Sequence, residues 1–163
     1  MEILNNSIEC SLRLVVLINE LTTGIDFQRI IYYDYALLHS GDFDSSQESL
    51  YPSSPFRKEE LYVKNRLIKD ALAILCQKQL VDVEYKETGV LYKKTNLSQL
   101  FLNYLSTDYF LSLKEKAKWI NVYFNSYNDQ QLKEYFDKTI GEWKSEFSTY
   151  GLTRTELVVQ NNE

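Results

Sequence analysis

The feature that most constrains this chain is a change of hydrophobic period near residue 80. Before it, apolar side chains recur every three to four positions. From Val81 the spacing drops to two, with Val81, Val83 and Tyr85 alternating with Asp82, Glu84 and Lys86. A period near 3.6 lines up one face of a helix, and a period of two lines up one face of a strand. Glu87-Thr88-Gly89 and the return run Val90-Leu91-Tyr92-Lys93 then complete a β-hairpin, with glycine at the tight position.

Three helical runs precede the hairpin. Residues 7–23 carry Ile8, Leu12, Val15, Ile18 and Leu21 at helical spacing, and Gly24 is expected to cap that run. Asp26 is the expected N-cap of a second helix, with Phe27, Ile30, Ile31, Tyr35 and Leu38 on one face and Ser40-Gly41-Asp42 as its stop. A third spans about residues 58–79, with Leu61, Lys64 or Asn65, Ile68, Ala71/Leu72 and Leu75 inward. Between the second and third, residues 42–57 hold both prolines and no helical period, so a loop is expected, packed down by Leu50, Tyr51 and Phe56. After the hairpin come a short helix at residues 97–105, a longer one with Tyr109, Phe110, Leu113, Ala117, Ile120 and Phe124, and another from Asn128-Asp129 with Leu132, Tyr135, Phe136, Ile140, Trp143 and Phe147. The expected class is mainly α with a small β-hairpin. Three helices followed by a two-stranded wing predict a winged helix-turn-helix core at residues 1–96. C-terminal helices at 97–148 and a frayed tail at 149–163 follow.

Composition removes many functions. The single histidine, His39, and the distant Cys10 and Cys76 lack zinc-ligand spacing, so no metal site and no cofactor is expected. No phosphate-binding glycine loop, dinucleotide fingerprint, serine-hydrolase elbow or HExxH pattern occurs. No run reaches the ~20 apolar residues of a membrane span, and the opening residues lack a signal peptide's basic-then-apolar order. A cytoplasmic protein with no membrane partner and no small-molecule substrate is expected. Net charge is −5, yet residues 56–96 carry nine basic residues against six acidic ones. Overall acidity disfavours free-standing nucleic-acid binding, while the basic centre leaves a local contact open.

Asp34, His39, Gly41 and Asp42 lie in Tyr32-Tyr33-Asp34-Tyr35-Ala36-Leu37-Leu38-His39-Ser40-Gly41-Asp42. A histidine with nearby carboxylates suggests acid–base chemistry. Five residues separate Asp34 from His39, about 500° around a helix, so they do not share a face. A structural role at the end of the helix is therefore expected, and no enzyme activity. Lys64, Asn65, Arg66 and Lys69 on the third helix, with Lys93 and Lys94 after the wing, are the candidate nucleic-acid contacts. Glu60 and Asp70 are local counter-charges. Trp119 and Tyr123 adjoin Ile120 and Phe124, so that helix is apolar around more than one face. Trp119, Tyr123 and Trp143 are accordingly candidate partner-binding residues, and Arg57 is the candidate charged anchor of the 42–57 loop.

The Tyr32–Asp42 string, Ser49-Leu50-Tyr51-Pro52-Ser53-Ser54-Pro55-Phe56-Arg57 and the Trp143…Glu146-Phe147 ending resemble the middle component of bacterial three-component ABC-ATPase conflict systems, which are related to Lamassu-type defence. The resemblance implies a non-enzymatic adaptor linking an SMC-like or ABC-type ATPase subunit to an effector subunit, with DNA contact open within the assembly. The alternative reading is a DNA-binding winged-helix transcriptional regulator.

Overall fold

Asn6 opens the first helix by accepting the Glu9 N–H on its side-chain oxygen at 2.9 Å, which satisfies one of the four unpaired donors of a helix start. The structure is a computed structural model that describes residues 6–52 and 57–140. In chain order these form α1 (Ser7–Asn19), β1 (Ile25–Asp26), α2 (Phe27–Leu38), a 3-10 turn (Ser40–Asp42), α3 (Arg57–Gln77), β2 (Val81–Lys86), β3 (Gly89–Lys94), α4 (Asn96–Leu102), α5 (Asp108–Phe124) and α6 (Asp129–Ile140). The fold is mainly helical, with one small antiparallel sheet. The chain divides into two compact units, Met1–Ser126 and Tyr127–Glu163.

In the first unit α1 is the central element. Cys10, Ser11 and every residue from Arg13 to Asn19 are buried, and a helix covered nearly all round must have neighbours on every side. α2, α3, α4, α5 and β3 all pack against it. The inward residues expected on α3 are buried: Leu61, Ile68, Ala71, Leu72 and Leu75, with Lys64 rather than Asn65 completing the row. Asp26 caps α2 as its sequence position suggests, accepting the Arg29 N–H at 2.8 Å.

Two features depart from the sequence reading. First, α1 stops at Asn19, four residues before the expected end, where Glu20 and Leu21 donate to Leu17 and Ile18 in a tightened last turn. Gly24 is not its cap. It lies beside β3, where a Cβ would stand 2.9 Å from the Leu91 Cβ. Second, the hairpin gains a third strand: β1 pairs with β3 through Ile25↔Tyr92 and Asp26↔Leu91, and the sheet order is β1-β3-β2. Two residues are too few to display a period, so this strand left no pattern to read.

In the second unit, α6 starts with a reciprocal cap. Asn128 Oδ1 accepts the Gln131 N–H at 2.8 Å, and Gln131 Oε1 accepts the Asn128 N–H at 3.0 Å. Leu132, Phe136 and Ile140 are its buried residues. Trp143, the 149–163 segment and the Arg57 side chain lie outside the described residues.

Candidate functional site

Arg13 is the one cation on the buried α1, and its side chain has no exposure. An unpaired guanidinium there would be strongly destabilising, so its partner must be a buried acid. That acid is Asp34 of α2: Arg13 Nε donates to Oδ1 at 3.0 Å and Nη2 to Oδ2 at 3.3 Å, a two-pronged pair. Burial pushes the Asp34 carboxyl up, but the charges of Arg13 and Lys64 and the Arg13 hydrogen bonds hold it below its ordinary value.

Charge spreads outward from this pair. Glu9, one turn before Arg13, lies 3.7 Å from its Nη1. Glu9 Oε1 also accepts the Tyr51 hydroxyl at 2.8 Å and the Tyr109 hydroxyl at 2.9 Å, so one carboxylate gathers the loop and α5 onto α1. Burial, then the bond to Glu9, pushes the Tyr51 phenol up to about 12. From α3, Lys64 is buried with its Nζ 3.3 Å from Glu60 Oε1 and 5.9 Å from the Tyr35 ring centroid. The same Glu60 oxygen is 3.1 Å from His39 Nε2. Burial raises Glu60, yet the His39 hydrogen bond and the Lys64 charge bring it down to about 2. Cys10 sits beside the cluster, its thiol pushed up to about 12 by burial and by Asp34.

The residues singled out in the sequence therefore meet, through other partners. Asp34 pairs with Arg13 and His39 with Glu60. Asp42 accepts the Tyr35 hydroxyl at 3.1 Å. Ser40 donates to the Glu48 carbonyl and accepts from Lys116. Gly41 donates its N–H to Ser49 Oγ at 2.9 Å, and a Cβ at that position would fall 2.9 Å from the same oxygen and 3.2 Å from the Gln47 carbonyl. Tyr51 N–H closes on the Leu38 carbonyl at 3.1 Å. The described part of the loop is thus folded against the end of α2. Sequence reasoning missed Glu9 and Arg13, and it read Glu60 only as a local counter-charge, which it is for Lys64, and not as the partner of His39. The available signal was a lone arginine inside an otherwise apolar helix, which demands an equally buried acid.

Of the nucleic-acid candidates, Lys64 points inward, while Asn65, Arg66 and Lys69 are exposed on α3. Lys69 Nζ stands 5.6 Å over the Phe27 ring. Lys93 Nζ is 3.8 Å from Glu84, and Lys94 Nζ donates to the Asn19 carbonyl at 3.4 Å. Trp119 and Tyr123 are half-buried, with ring centroids 5.0 Å apart. Tyr123 OH donates to the Phe43 carbonyl at 3.1 Å, and Phe43 packs edge-on against Phe124 at 5.8 Å. The loop of this chain thus meets α5 at Tyr123 and Phe124. Exposed apolar residues cluster instead on a helix the sequence reading had not singled out: Leu97, Leu100 and Tyr104, at 45, 58 and 86 % exposure, follow helical spacing along α4 and just past it. No charged residue lies between Asn96 and Thr107.

Among the described residues no group of three or more His, Cys, Asp or Glu could hold a metal ion, and no helix is long and apolar enough to cross a membrane. No curated protein and no solved structure matches the chain. Residues 3–146, which include the whole charge cluster, match the family model described as ABC-three component (ABC-3C) system Middle Component 2, and the chain belongs to that family.

Proposed function

We propose that this protein is a non-enzymatic adaptor that links an SMC-like or ABC-type ATPase subunit to an effector subunit in a bacterial, Lamassu-related defence complex in the cytoplasm. Family membership over residues 3–146 carries the reading, because a middle component is one part of a multi-subunit system. Two observations support it. The polar residues of the Tyr32–Asp42 string are engaged inside the protein, which suits a rigid scaffold. The uncharged, exposed Leu97, Leu100 and Tyr104 suit a protein contact. The order α1-β1-α2-α3-β2-β3 and the strand order β1-β3-β2 support a winged helix-turn-helix reading of the core, although residues 39–56 replace the short turn usual between its second and third helices. The test is a pull-down of the tagged chain co-expressed with its neighbouring genes, read by mass spectrometry and repeated after nuclease treatment. Stoichiometric recovery of an ATPase that survives nuclease is the expected result. Hydrolytic activity of the isolated chain that disappears in His39→Ala would overturn it.

The exposed Asn65, Arg66 and Lys69 on the helix preceding the wing favour a second reading, a DNA-binding regulator. It requires affinity that falls steeply with salt and drops in Arg66→Ala/Lys69→Ala. Recovery of DNA alone in the pull-down would favour it.

A further inference from the structure

Among the described residues, the sheet order β1-β3-β2 leaves β2 with a single strand neighbour. Its register with β3 runs unbroken from Val81↔Lys94 to Lys86↔Gly89, so no bulge turns the free edge away, and no proline blocks it. The two-residue turn closes on the Lys86/Gly89 pair, which makes Lys86, Glu84 and Asp82 the residues hydrogen-bonded to β3. The backbone N–H and C=O of Val81, Val83 and Tyr85 therefore face outward. The Val83 N–H agrees with this: its partner is the neighbouring Asp82 side chain, at 3.0 Å, and not β3. Along this edge one face carries Val83 and the 81 %-exposed Tyr85, with Val90 directly across from Tyr85. The other face carries Asp82, Glu84 and Lys86.

We infer that β2 is a homodimerisation edge, pairing antiparallel with β2 of a second copy of this chain about a two-fold axis at Glu84. The charges choose this occupant and this register. With Val83 opposite Tyr85 of the second copy, the outward backbone groups form the closely spaced hydrogen-bonded pairs, and a β-branched residue faces an aromatic one twice. On the charged face Asp82 meets Lys86 of the second copy, also twice. The two Glu84 side chains meet on the axis, each with its own Lys86 at 3.5 Å and Lys93 at 3.8 Å. Sliding by one step so that Val83 faces itself sets Asp82 against Glu84 twice. Sliding the other way shortens the paired segment from residues 82–86 to residues 84–86. On pairing, the Val83 N–H passes from Asp82 to the Tyr85 carbonyl of the second copy, which frees the Asp82 carboxylate for Lys86. So short an edge lies at the small end of protein interfaces, so the dimer is concentration-dependent.

Sedimentation equilibrium of the full chain, over a range reaching high micromolar, tests this. A monomer–dimer equilibrium is expected. Asp82→Lys and Lys86→Asp each set like charges opposite each other and weaken it by about tenfold, and the double variant restores it. Val83→Pro, which deletes an outward N–H that β3 does not use, abolishes it while circular dichroism stays native. A chain monomeric throughout the range overturns the inference. So does a dimer that ignores the single charge reversals, or one that the double variant fails to rescue. The inference concerns the sheet edge alone and stands apart from the adaptor reading.

Discussion

Asp34 is the only acid between Phe27 and Leu38, and Arg13 is the only base between Ser7 and Asn19. Each is the main answer to the other's buried charge, with Glu9 beside Arg13 and Lys64 near Asp34, so the pair behaves largely as a unit. Removing one member leaves an uncompensated ion in the interior, whereas replacing both with apolar residues removes the problem with the pair. Asp34→Ala is therefore expected to lower unfolding free energy by about 3–5 kcal/mol. Arg13→Met/Asp34→Leu should recover most of that in urea titrations. A double variant as unstable as the single would show that the pair contributes more than mutual neutralisation. Gly41 acts at the same scale through space and not charge. A methyl at Gly41 would crowd Ser49 Oγ and the Gln47 carbonyl and disturb the N–H to Ser49 bond, so Gly41→Ala is expected to cost about 1–2 kcal/mol. Faster hydrogen exchange at residues 43–52 is the accompanying signature.

At the scale of elements, the end of α3 shows how a helix stops without its preferred residue. Gln79 adopts φ 58°, the Leu80 N–H returns to the Leu75 carbonyl at 2.9 Å, and the Gln79 N–H reaches the Cys76 carbonyl at 3.1 Å. This left-handed cap positions the chain to enter β2 at Val81. A side chain in that conformation is strained, and glycine is not, so Gln79→Gly is expected to stabilise the protein by about 0.5–1 kcal/mol. A rise in thermal midpoint checks it; a fall would mean that the glutamine side chain makes a compensating contact. Gly89 at φ 133° shows the converse, with the hairpin placing glycine where it is needed.

Across the whole molecule, the charge cluster joins α1, α2, α3, α5 and the loop, so its protonation bears on global stability. Glu60 has a folded-state value near 2 against an ordinary 4.5, and Asp34 is displaced in the same direction. A depressed carboxylate binds fewer protons folded than unfolded between those values. Its contribution is therefore complete above about pH 4.5 and is lost as pH falls toward 2. Discounted for its partial exposure, Glu60 accounts for about 1–2 kcal/mol of that loss. Urea midpoints measured across this window should fall with pH, and Glu60→Gln should flatten the curve. An unchanged slope in that variant would assign the acid sensitivity elsewhere, with Asp34 as the next group to test.

Much of the fold was legible because its signals are local. The 3.6-residue period of α1, α2, α3, α5 and α6, the caps Asp26 and Asn128, and the alternation and Gly89 of the hairpin are all written within a few residues of where they act. The Tyr32–Asp42 string was legible as a motif, and its resemblance pointed to the family that residues 3–146 match. What those residues do was not legible. Arg13 reaches Asp34 across 21 positions, His39 reaches Glu60 across 21, and Tyr109 reaches Glu9 across 100. Each bond depends on helices meeting at particular faces, and no periodicity encodes which buried charge will meet which. β1 was hidden for a related reason, since two residues become a strand only when β3 stands beside them to supply the hydrogen bonds. By itself the sequence determined the helices, the hairpin and most of their inward faces, because backbone geometry and side-chain spacing set those locally. The tertiary structure alone decided the charge pairings, the third strand and the edge of β2 that no described strand covers, because these are fixed by packing between distant segments.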